Sequence, residues 1–287
     1  MEGKLKFNFL KMTGGTFTRT SLSILFLSLG FNFQAAGQIG DSLELLFSKA
    51  IEAEDLYVDA FENIYLLDDD NTLRKMESSG SFRFEFRDQR LGDLGFVDLS
   101  SPLDILLFYP EFQELVLLDR TLSEVARMRL TAVGFFGIEV VGQASDNKLW
   151  IYDPMEGILK KINFDGVTLL ESGVLPLLIG KSVTPQYILE QDQKVYVQCA
   201  EAGILVFDVF GKFLEQIPWE KGLSLQIVQD LYFGCTGSSC LFMDAFSRRE
   251  WRFDLPLHSA KALKTWYRGG KLFVLYPGAL QVYHLQK

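Results

Sequence analysis

Histidine is nearly absent from this sequence. Two histidines occur in 287 residues, His258 and His284, and both lie near the C-terminal end. Zinc sites and serine-type triads usually need histidine as a ligand or as a base. A histidine-rich metal site and a histidine-dependent triad are therefore not expected. No glycine-rich phosphate-binding loop is present either, so we expect no cofactor.

Cysteine is also scarce, with three residues. Cys235 and Cys240 enclose the sequence Thr-Gly-Ser-Ser, which is typical of a hairpin loop. The two thiols are therefore expected on facing strands, where a disulfide can form. Cys199 ends the apolar run 195–199 and is expected to be a buried thiol.

Positive charge is in the minority. The chain has 28 Lys and Arg against 37 Asp and Glu, which gives a net charge of -9 at pH 7. A surface of this sign repels phosphate backbones. Nucleic acid is therefore not an expected partner.

The apolar run near the N terminus is too short to span a bilayer. It covers residues 22–31, whereas a spanning helix needs roughly 20 apolar residues. Four basic residues precede the run and the small residues 35–37 follow it, an order that is typical of a secretory signal peptide and weakens the alternative of a membrane anchor. We expect residues 1–37 to be a signal peptide. Residues 38–287 are then a single domain, periplasmic or secreted, with no transmembrane segment in the mature chain.

The sequence does contain a repeat of strand-like runs rich in Val, Ile, Leu, Phe and Tyr. They start at Ile64, Ile105, Leu149, Val195, Tyr232 and Leu272, at intervals of 37 to 46 residues. After each, a polar turn leads to a second apolar run, at 72–76, 114–118, 158–162, 203–207, 240–244 and 280–284. One four-stranded blade of a β-propeller takes about 40 to 45 residues. The spacing predicts an all-β fold, a six-bladed β-propeller with four-stranded blades.

The clearest copy of the repeat is segment 59–80. Its polar turn leads to Asn-Ile-Tyr-Leu-Leu-Asp at 63–68, followed by a short loop and Leu-Arg-Lys at 73–75. This segment resembles the repeat of the six-bladed propellers of the NHL and YWTD-like (TolB-like) superfamily. The resemblance implies a fold and not an activity, because propellers carry many unrelated functions.

The sixth blade has three strands before the sequence stops at Lys287, which leaves its outer edge unpaired. The apolar stretch 43–51 precedes the first blade and is expected to pair beside 280–284 as the missing outer strand. The alternative is a short N-terminal helix, since Leu43, Leu46, Phe47 and Ala50 also fit helical spacing.

The turns between second and third strands carry acidic residues. The cluster 68–71 resembles half of a calcium loop, but it lacks the glycine and the distal glutamate of such a site. A solvated turn is expected there, and no metal site. Asp68 and Asp153 end equivalent strands and would be the candidates for a catalytic pair. Since Asp is common in such turns, we expect both to be structural and assign no catalytic residue.

Five aromatic residues in predicted loops are the candidate binding residues. They are Phe135, Phe136, Trp219, Trp266 and Tyr267. Exposed aromatic rings can form a surface for a sugar or a protein. Burial between blades is the alternative in a chain with 25 Phe.

These patterns favour a non-enzymatic exported propeller that binds a protein partner in the cell envelope. It would act as a scaffold or as an accessory subunit of an outer-membrane translocation or uptake complex. The alternative is a glycan-active lyase or hydrolase that uses Asp or Glu at the mouth of the propeller channel. A cluster of titratable residues at that mouth would favour the enzyme, and an exposed apolar patch would favour the binder.

Overall fold

The computed structural model describes residues 42–77, 80–101, 103–256 and 260–286. Its strands form six antiparallel sheets of four strands each, so the prediction of an all-β, six-bladed propeller is confirmed. The predicted signal peptide, residues 1–37, lies outside the described residues. Within the described part of the chain, no helix is long and apolar enough to cross a membrane.

The strands follow one another around the ring, from the inner to the outer edge of each blade. The chain starts with β1 (Ser42–Ala50). Blade 1 contains β2 (Asp55–Val58), β3 (Ile64–Leu67), β4 (Leu73–Met76) and β5 (Phe82–Phe86). Blade 2 contains β6 (Phe96–Asp98), β7 (Asp104–Tyr109), β8 (Glu114–Asp119) and β9 (Glu124–Arg129). Blade 3 contains β10 (Val141–Gln143), β11 (Leu149–Asp153), β12 (Ile158–Ile162) and β13 (Thr168–Glu171). Blade 4 contains β14 (Pro185–Gln191), β15 (Lys194–Cys199), β16 (Gly203–Asp208) and β17 (Phe213–Ile217). Blade 5 contains β18 (Gln226–Val228), β19 (Leu231–Cys235), β20 (Ser239–Asp244) and β21 (Glu250–Asp254). Blade 6 contains β22 (Lys264–Arg268), β23 (Lys271–Tyr276) and β24 (Ala279–Gln286).

The strand that precedes blade 1 completes blade 6. β1 pairs antiparallel with β24, from Leu43 opposite Leu285 to Ala50 opposite Ala279, with one bulge between Leu45 and Phe47. The predicted closure by the stretch 43–51 is therefore confirmed, and the alternative of a helix is excluded. Closure of this kind removes an unpaired edge and joins the two ends of the domain.

The hydrophobic core lies between the blades. Six clusters of buried apolar side chains occur, one at each junction of neighbouring blades. The middle strands of a blade face a neighbouring blade on each side, and every residue of β3, β11 and β12 is buried. In contrast, β5 is exposed at four of its five positions. One blade therefore cannot bury its own faces, and its stability depends on the blades beside it.

Glutamine side chains connect neighbouring blades through both ends of the amide. Gln198 donates from Nε2 to the carbonyl of Leu223 (2.7 Å), and its Oε1 accepts from the N–H of Leu225 (2.9 Å). Gln226 makes the same pair of bonds with Thr265 and Tyr267, each at 2.8 Å. Buried backbone groups at these junctions thus have partners that the strand ladders do not supply.

The third and fourth strands of blades 2 to 5 are joined by turns that begin in the same way, here named the outer turns; the turn of blade 5 is one residue longer than the other three. Each begins with an Asp or Asn whose side chain accepts a hydrogen bond from the N–H two residues later. These pairs are Asp119 with Thr121 (2.7 Å), Asn163 with Asp165 (3.0 Å), Asp208 with Phe210 (2.9 Å) and Asp244 with Phe246 (3.1 Å). The side chain of the first residue therefore fixes the turn. The residue two positions later, here called the tip, contributes only its backbone N–H, so different side chains can occupy it.

Cys235 and Cys240 are joined by a disulfide between facing positions of β19 and β20. Cys199 is a free, buried thiol, and burial raises its pKa to about 12. Since the thiolate is the reactive species, Cys199 should be inert at neutral pH while the protein is folded.

Thiol counting by mass spectrometry should follow this arrangement. We expect no alkylated cysteine in the native protein, one after unfolding without reductant, and three after unfolding with reductant. Three alkylated cysteines without reductant would contradict the disulfide. Rapid alkylation of one cysteine in the native protein would contradict the burial of Cys199.

Candidate functional site

The antiparallel order of each blade divides its connections between two faces of the ring. The turns from second to third strand and the links between blades lie on one face, named here the upper face. The turns from first to second strand and the outer turns lie on the opposite, lower face. The links on the upper face are the longer ones, and one of them contains the helix α1 (Leu175–Ile179).

Exposed apolar side chains follow one another along the upper face of blades 2 and 3. This ridge consists of Phe112, Phe136, Met155, Leu177 and Leu178. Met155 and Leu177 are the most open of the five, with 78% and 80% of their surface exposed. Large apolar side chains at such exposure have no role in the core, so they indicate an interaction surface.

Contacts between the loops make the ridge continuous. Gln113, next to Phe112, donates to the carbonyl of Ile138 and accepts from its N–H, both at 2.8 Å. A Cβ at Gly137 would lie 3.8 Å from the ring of Pro154, so the loop of Phe136 contacts the turn of Met155. The turn of Met155 also contacts α1, because the carbonyl of Gly157 accepts a hydrogen bond from the N–H of Leu175 at the start of the helix (2.8 Å).

A buried ion pair supports the central turn of the ridge. Asp153 accepts hydrogen bonds from the N–H of Met155 (3.0 Å) and from Nζ of Lys160 (2.9 Å). Lys160 also pairs with Glu156 (2.8 Å) and lies 5.6 Å from the centre of the Phe135 ring. Asp153 therefore fixes the backbone that carries Met155.

The border of the ridge is negatively charged. Glu111 and Glu139 are exposed beside Phe112 and Ile138, and neither forms an ion pair within the described ranges. A cavity of about 450 Å³ lies next to Phe112 and is lined by Arg127 and Arg129. Its charges are paired: Arg129 contacts Glu114 (2.8 Å), and Arg127 contacts Glu124 (2.6 Å). The unpaired charge at this border is thus carried by carboxylates.

The five aromatic residues predicted to bind do not come together. Phe135 is buried under the ridge, Phe136 is exposed on it, and Tyr267 is buried between blades 5 and 6. Trp266 is partly buried with its ring 5.9 Å from that of Tyr57. Trp219 is partly buried and donates from Nε1 to the carbonyl of Leu223 (3.1 Å). Of the five, Phe136 belongs to the ridge.

The sequence reasoning missed the aliphatic part of the ridge. The predicted binding residues were all aromatic, so Met155, Leu177 and Leu178 were not among them. A signal was available, since an apolar residue inside the acidic turn 153–157 and a Leu-Pro-Leu-Leu run in a link have no strand pattern to bury them.

One aromatic contact joins the inner strands of two blades that are not neighbours in the sequence. Phe96 of blade 2 and Tyr187 of blade 4 meet with ring centres 5.6 Å apart, although blade 3 lies between their blades in the sequence. Blade 3 permits this approach through Gly142, where a Cβ would lie 2.7 Å from the carbonyl oxygen of Ile188. Burial raises the pKa of Tyr187 above its ordinary range. The inner strands of blades 2 and 4 thus make a direct aromatic contact past blade 3.

Asp68 also bonds within its own turn. Its side chain pairs with Arg74 (2.6 Å), and its backbone carbonyl accepts from the N–H of Asn71 (3.1 Å). No group of three or more His, Cys, Asp and Glu that could hold a metal ion occurs in the described parts of the chain.

The two aspartates should differ in their effect on stability. Asp68→Asn breaks a partly exposed ion pair and is expected to lower the free energy of unfolding by about 1 kcal/mol or less. Asp153→Asn leaves Lys160 buried with one remaining partner, and we expect a loss of about 2 to 3 kcal/mol. Urea unfolding of both variants measures the difference. Equal losses would show that the buried pair at Asp153 contributes no more than a surface pair.

Solved structures of other proteins share this fold. BamB from Moraxella catarrhalis is 8% identical, with a TM-score of 0.55 over 85% of this chain and 100% of that chain. BBS1N, solved in complex with ARL6DN, is 12% identical, with a TM-score of 0.57 over 87% of this chain and 98% of that chain. A streptogramin B lyase is 15% identical, with a TM-score of 0.55 over 86% of this chain and 88% of that chain.

These likenesses concern the fold alone, because the identities are low. No protein-family model matches the chain, and no curated protein matches it in sequence. The proteins that share the fold include one solved with a protein partner and one lyase. The function of this chain therefore has to be argued from its own surface.

Proposed function

We propose that this protein is a non-enzymatic propeller that binds another protein through the ridge of its upper face. In this role it is a scaffold or accessory subunit of a cell-envelope complex concerned with outer-membrane translocation or uptake. The observation that carries the proposal is the continuous row of exposed Phe, Met and Leu side chains on the upper face of blades 2 and 3.

The composition of the ridge suits a protein partner. Interface cores are enriched in aromatic residues and Met and depleted of charge, and flexible Met side chains adapt to a partner's shape. The ridge has charged residues at its border, which is the usual arrangement of an apolar centre and a polar rim. Since Glu111 and Glu139 lie at this border, the partner should carry Lys or Arg around its own apolar centre.

The envelope location rests on the N-terminal sequence, whose basic, apolar and small-residue order is typical of an exported chain. The likeness in fold to BamB and to BBS1N, which was solved with ARL6DN, is consistent with a partner-binding propeller.

Site-specific photo-cross-linking is the direct test. A photoreactive amino acid at position 155 or 177 should cross-link one protein in intact cells of the source organism. The double variant Met155→Ser, Leu177→Ser should reduce recovery of that protein from native envelopes by about tenfold or more, because two open apolar contacts are lost. Its melting temperature should stay within about 2 °C of the parent.

A matched control is available on the same two blades. Val125 in β9 and Leu169 in β13 are exposed apolar residues on the outer wall of blades 2 and 3, so Val125→Ser, Leu169→Ser makes the same chemical change away from the ridge. Partner recovery should be unchanged in this control. Equal loss in both variants would contradict the ridge as the binding site. Turnover of a glycan that is abolished by a folded Asp68 or Asp153 variant would replace the binder with the enzyme.

A further inference from the structure

Two phenylalanines project from the lower face, at the tips of the outer turns of neighbouring blades. Phe210 in blade 4 is 72% exposed and Phe246 in blade 5 is 81% exposed. They are among the most open large apolar side chains of the described residues, and they lie on the face opposite the ridge. The proposed partner surface therefore does not account for them.

The outer turns of blades 2 and 3 show whether this position requires an aromatic residue. The same tip position holds Thr121 in blade 2 and Asp165 in blade 3, and all four turns share the hydrogen bond from this N–H to the first side chain. The fold therefore accepts polar residues at the tip. Phenylalanine at this position in blades 4 and 5 exposes apolar surface to solvent, and the turn does not need the ring in order to form.

A basic residue closes these two turns and neither of the other two, although the turn of blade 2 carries the exposed Arg120 at its second position. The carbonyl of the residue that closes the turn accepts a hydrogen bond from the N–H of the first residue. The closing residue is Lys212 in blade 4 (3.0 Å) and Arg249 in blade 5 (2.9 Å), against Ser123 in blade 2 (2.9 Å) and Val167 in blade 3 (3.1 Å). Lys212 and Arg249 are exposed, and no ion pair involves them in the described part of the chain.

The acidic residues of the two turns are directed inward. Asp208 accepts from the N–H groups of Phe210 and Lys212, each at 2.9 Å. Asp244 accepts from the N–H and hydroxyl of Ser247, and these bonds lower its pKa. Arg248, in the same turn as Arg249, is paired with Glu215 (2.6 Å), so its charge is compensated. Each of the two turns thus carries an exposed ring and an exposed cation that forms no ion pair among the described residues.

We propose that the outer turns of blades 4 and 5 anchor the protein to the surface of an anionic lipid bilayer. An aromatic ring enters the interface between headgroups and acyl chains, and Lys or Arg beside it meets lipid phosphate. Two separate tips on neighbouring blades suit a bilayer, because insertion into lipid needs no complementary shape. Two anchors also suit stable attachment, since a single small apolar anchor binds membranes only weakly and reversibly. The ridge on the opposite face then stays open to a partner.

Vesicle co-sedimentation tests this proposal. The protein is used as recovered from the cells that produce it, with vesicles of phosphatidylcholine alone or mixed with phosphatidylglycerol. Binding is expected to the mixed vesicles and to weaken in 0.5 M NaCl. Phe210→Ser, Phe246→Ser should lower the partition coefficient by about tenfold or more. Lys212→Gln, Arg249→Gln should lower it several-fold and remove most of the salt dependence.

Two further variants sharpen the result. The ridge variant Met155→Ser, Leu177→Ser removes as much exposed apolar surface from the opposite face and should bind vesicles like the parent. Thr121→Phe, Ser123→Lys gives blade 2 the same pair of residues and should strengthen binding. All variants share the N-terminal residues, so a difference between them reports the turns.

Three outcomes would overturn the proposal. They are absence of parent binding to the mixed vesicles, unchanged binding of the Phe210→Ser, Phe246→Ser variant, and equal loss in the ridge variant. Cross-linking from position 210 or 246 to a protein without any vesicle binding would assign the two tips to a protein contact instead. None of these results depends on the partner of the ridge, so the two proposals can fail separately.

Discussion

Deletion of residues 42–50 is expected to lower the free energy of unfolding by about 4 kcal/mol or more. For a domain of this size this corresponds to a drop of about 10 °C or more in melting temperature. β1 supplies the fourth strand of blade 6 along its whole length, and its Leu43 and Phe47 side chains pack against the clusters on either side of that blade. The deletion removes this packing, breaks the ladder with β24 and exposes an edge at the point where the ring closes.

The matched control changes the same strand without removing it. Leu45 and Leu46 are half exposed, so Leu45→Thr, Leu46→Thr keeps the backbone pairing and a strand-forming side chain at both positions. This variant should unfold within about 1 kcal/mol of the parent. Calorimetry of the parent and both variants decides the matter. A deletion that melts within 2 °C of the parent would show that β1 does not close the ring in solution.

Glu190→Ala is expected to destabilise the protein by about 3 to 5 kcal/mol. The carboxylate of Glu190, in blade 4, is 1% exposed and reaches into blade 3. There it accepts from Nε1 of Trp150 (2.6 Å) and from the N–H of Ser145 (2.9 Å), and it lies 3.6 Å from Nζ of Lys161. Alanine leaves the indole N–H buried without this acceptor and removes one of the two carboxylates that pair with a buried lysine.

A surface ion pair between blades 4 and 5 is the control. Glu215 contacts Arg248 at 2.6 Å, and 45% of its side chain is exposed. Glu215→Ala should therefore lower the free energy of unfolding by about 1 kcal/mol or less, because water can solvate Arg248 once its partner is removed. Glu190→Gln should fall between the two alanine variants, since the amide oxygen can still accept from Trp150 while the charge next to Lys161 is lost. If Glu190→Ala unfolds at the same urea concentration as Glu215→Ala, the buried network does not stabilise the junction.

The strands and their order could be predicted from the sequence because both depend on local patterns. The predicted runs at 149–153 and 158–162 coincide with β11 and β12. Strand length, the polar turn after each run and the spacing of blades recur along the chain, so each copy supports the interpretation of the others. The closure by β1 followed from counting, because five complete blades and three further strands leave a single strand missing.

The candidate site depended on the tertiary structure. Phe135 and Phe136 are neighbours in the sequence, yet one lies under the ridge and the other on it. Tyr267, in a segment predicted to be a loop, is part of β22 and packs between two blades. A loop residue and a junction residue look alike in sequence, because apolar content does not show which face of a blade meets its neighbour.

The continuity of the ridge and the burial of Glu190 have the same cause. Phe112 and Leu177 are far apart in the chain, and successive links and turns bring their loops into one row. Glu190 meets Trp150 because neighbouring blades pack face to face. The sequence by itself determined the repeat, the closing strand and the charge of the chain, since these follow from local periodicity and composition. The exposed surface and the buried network were decided by contacts between blades, which have no local period in the sequence.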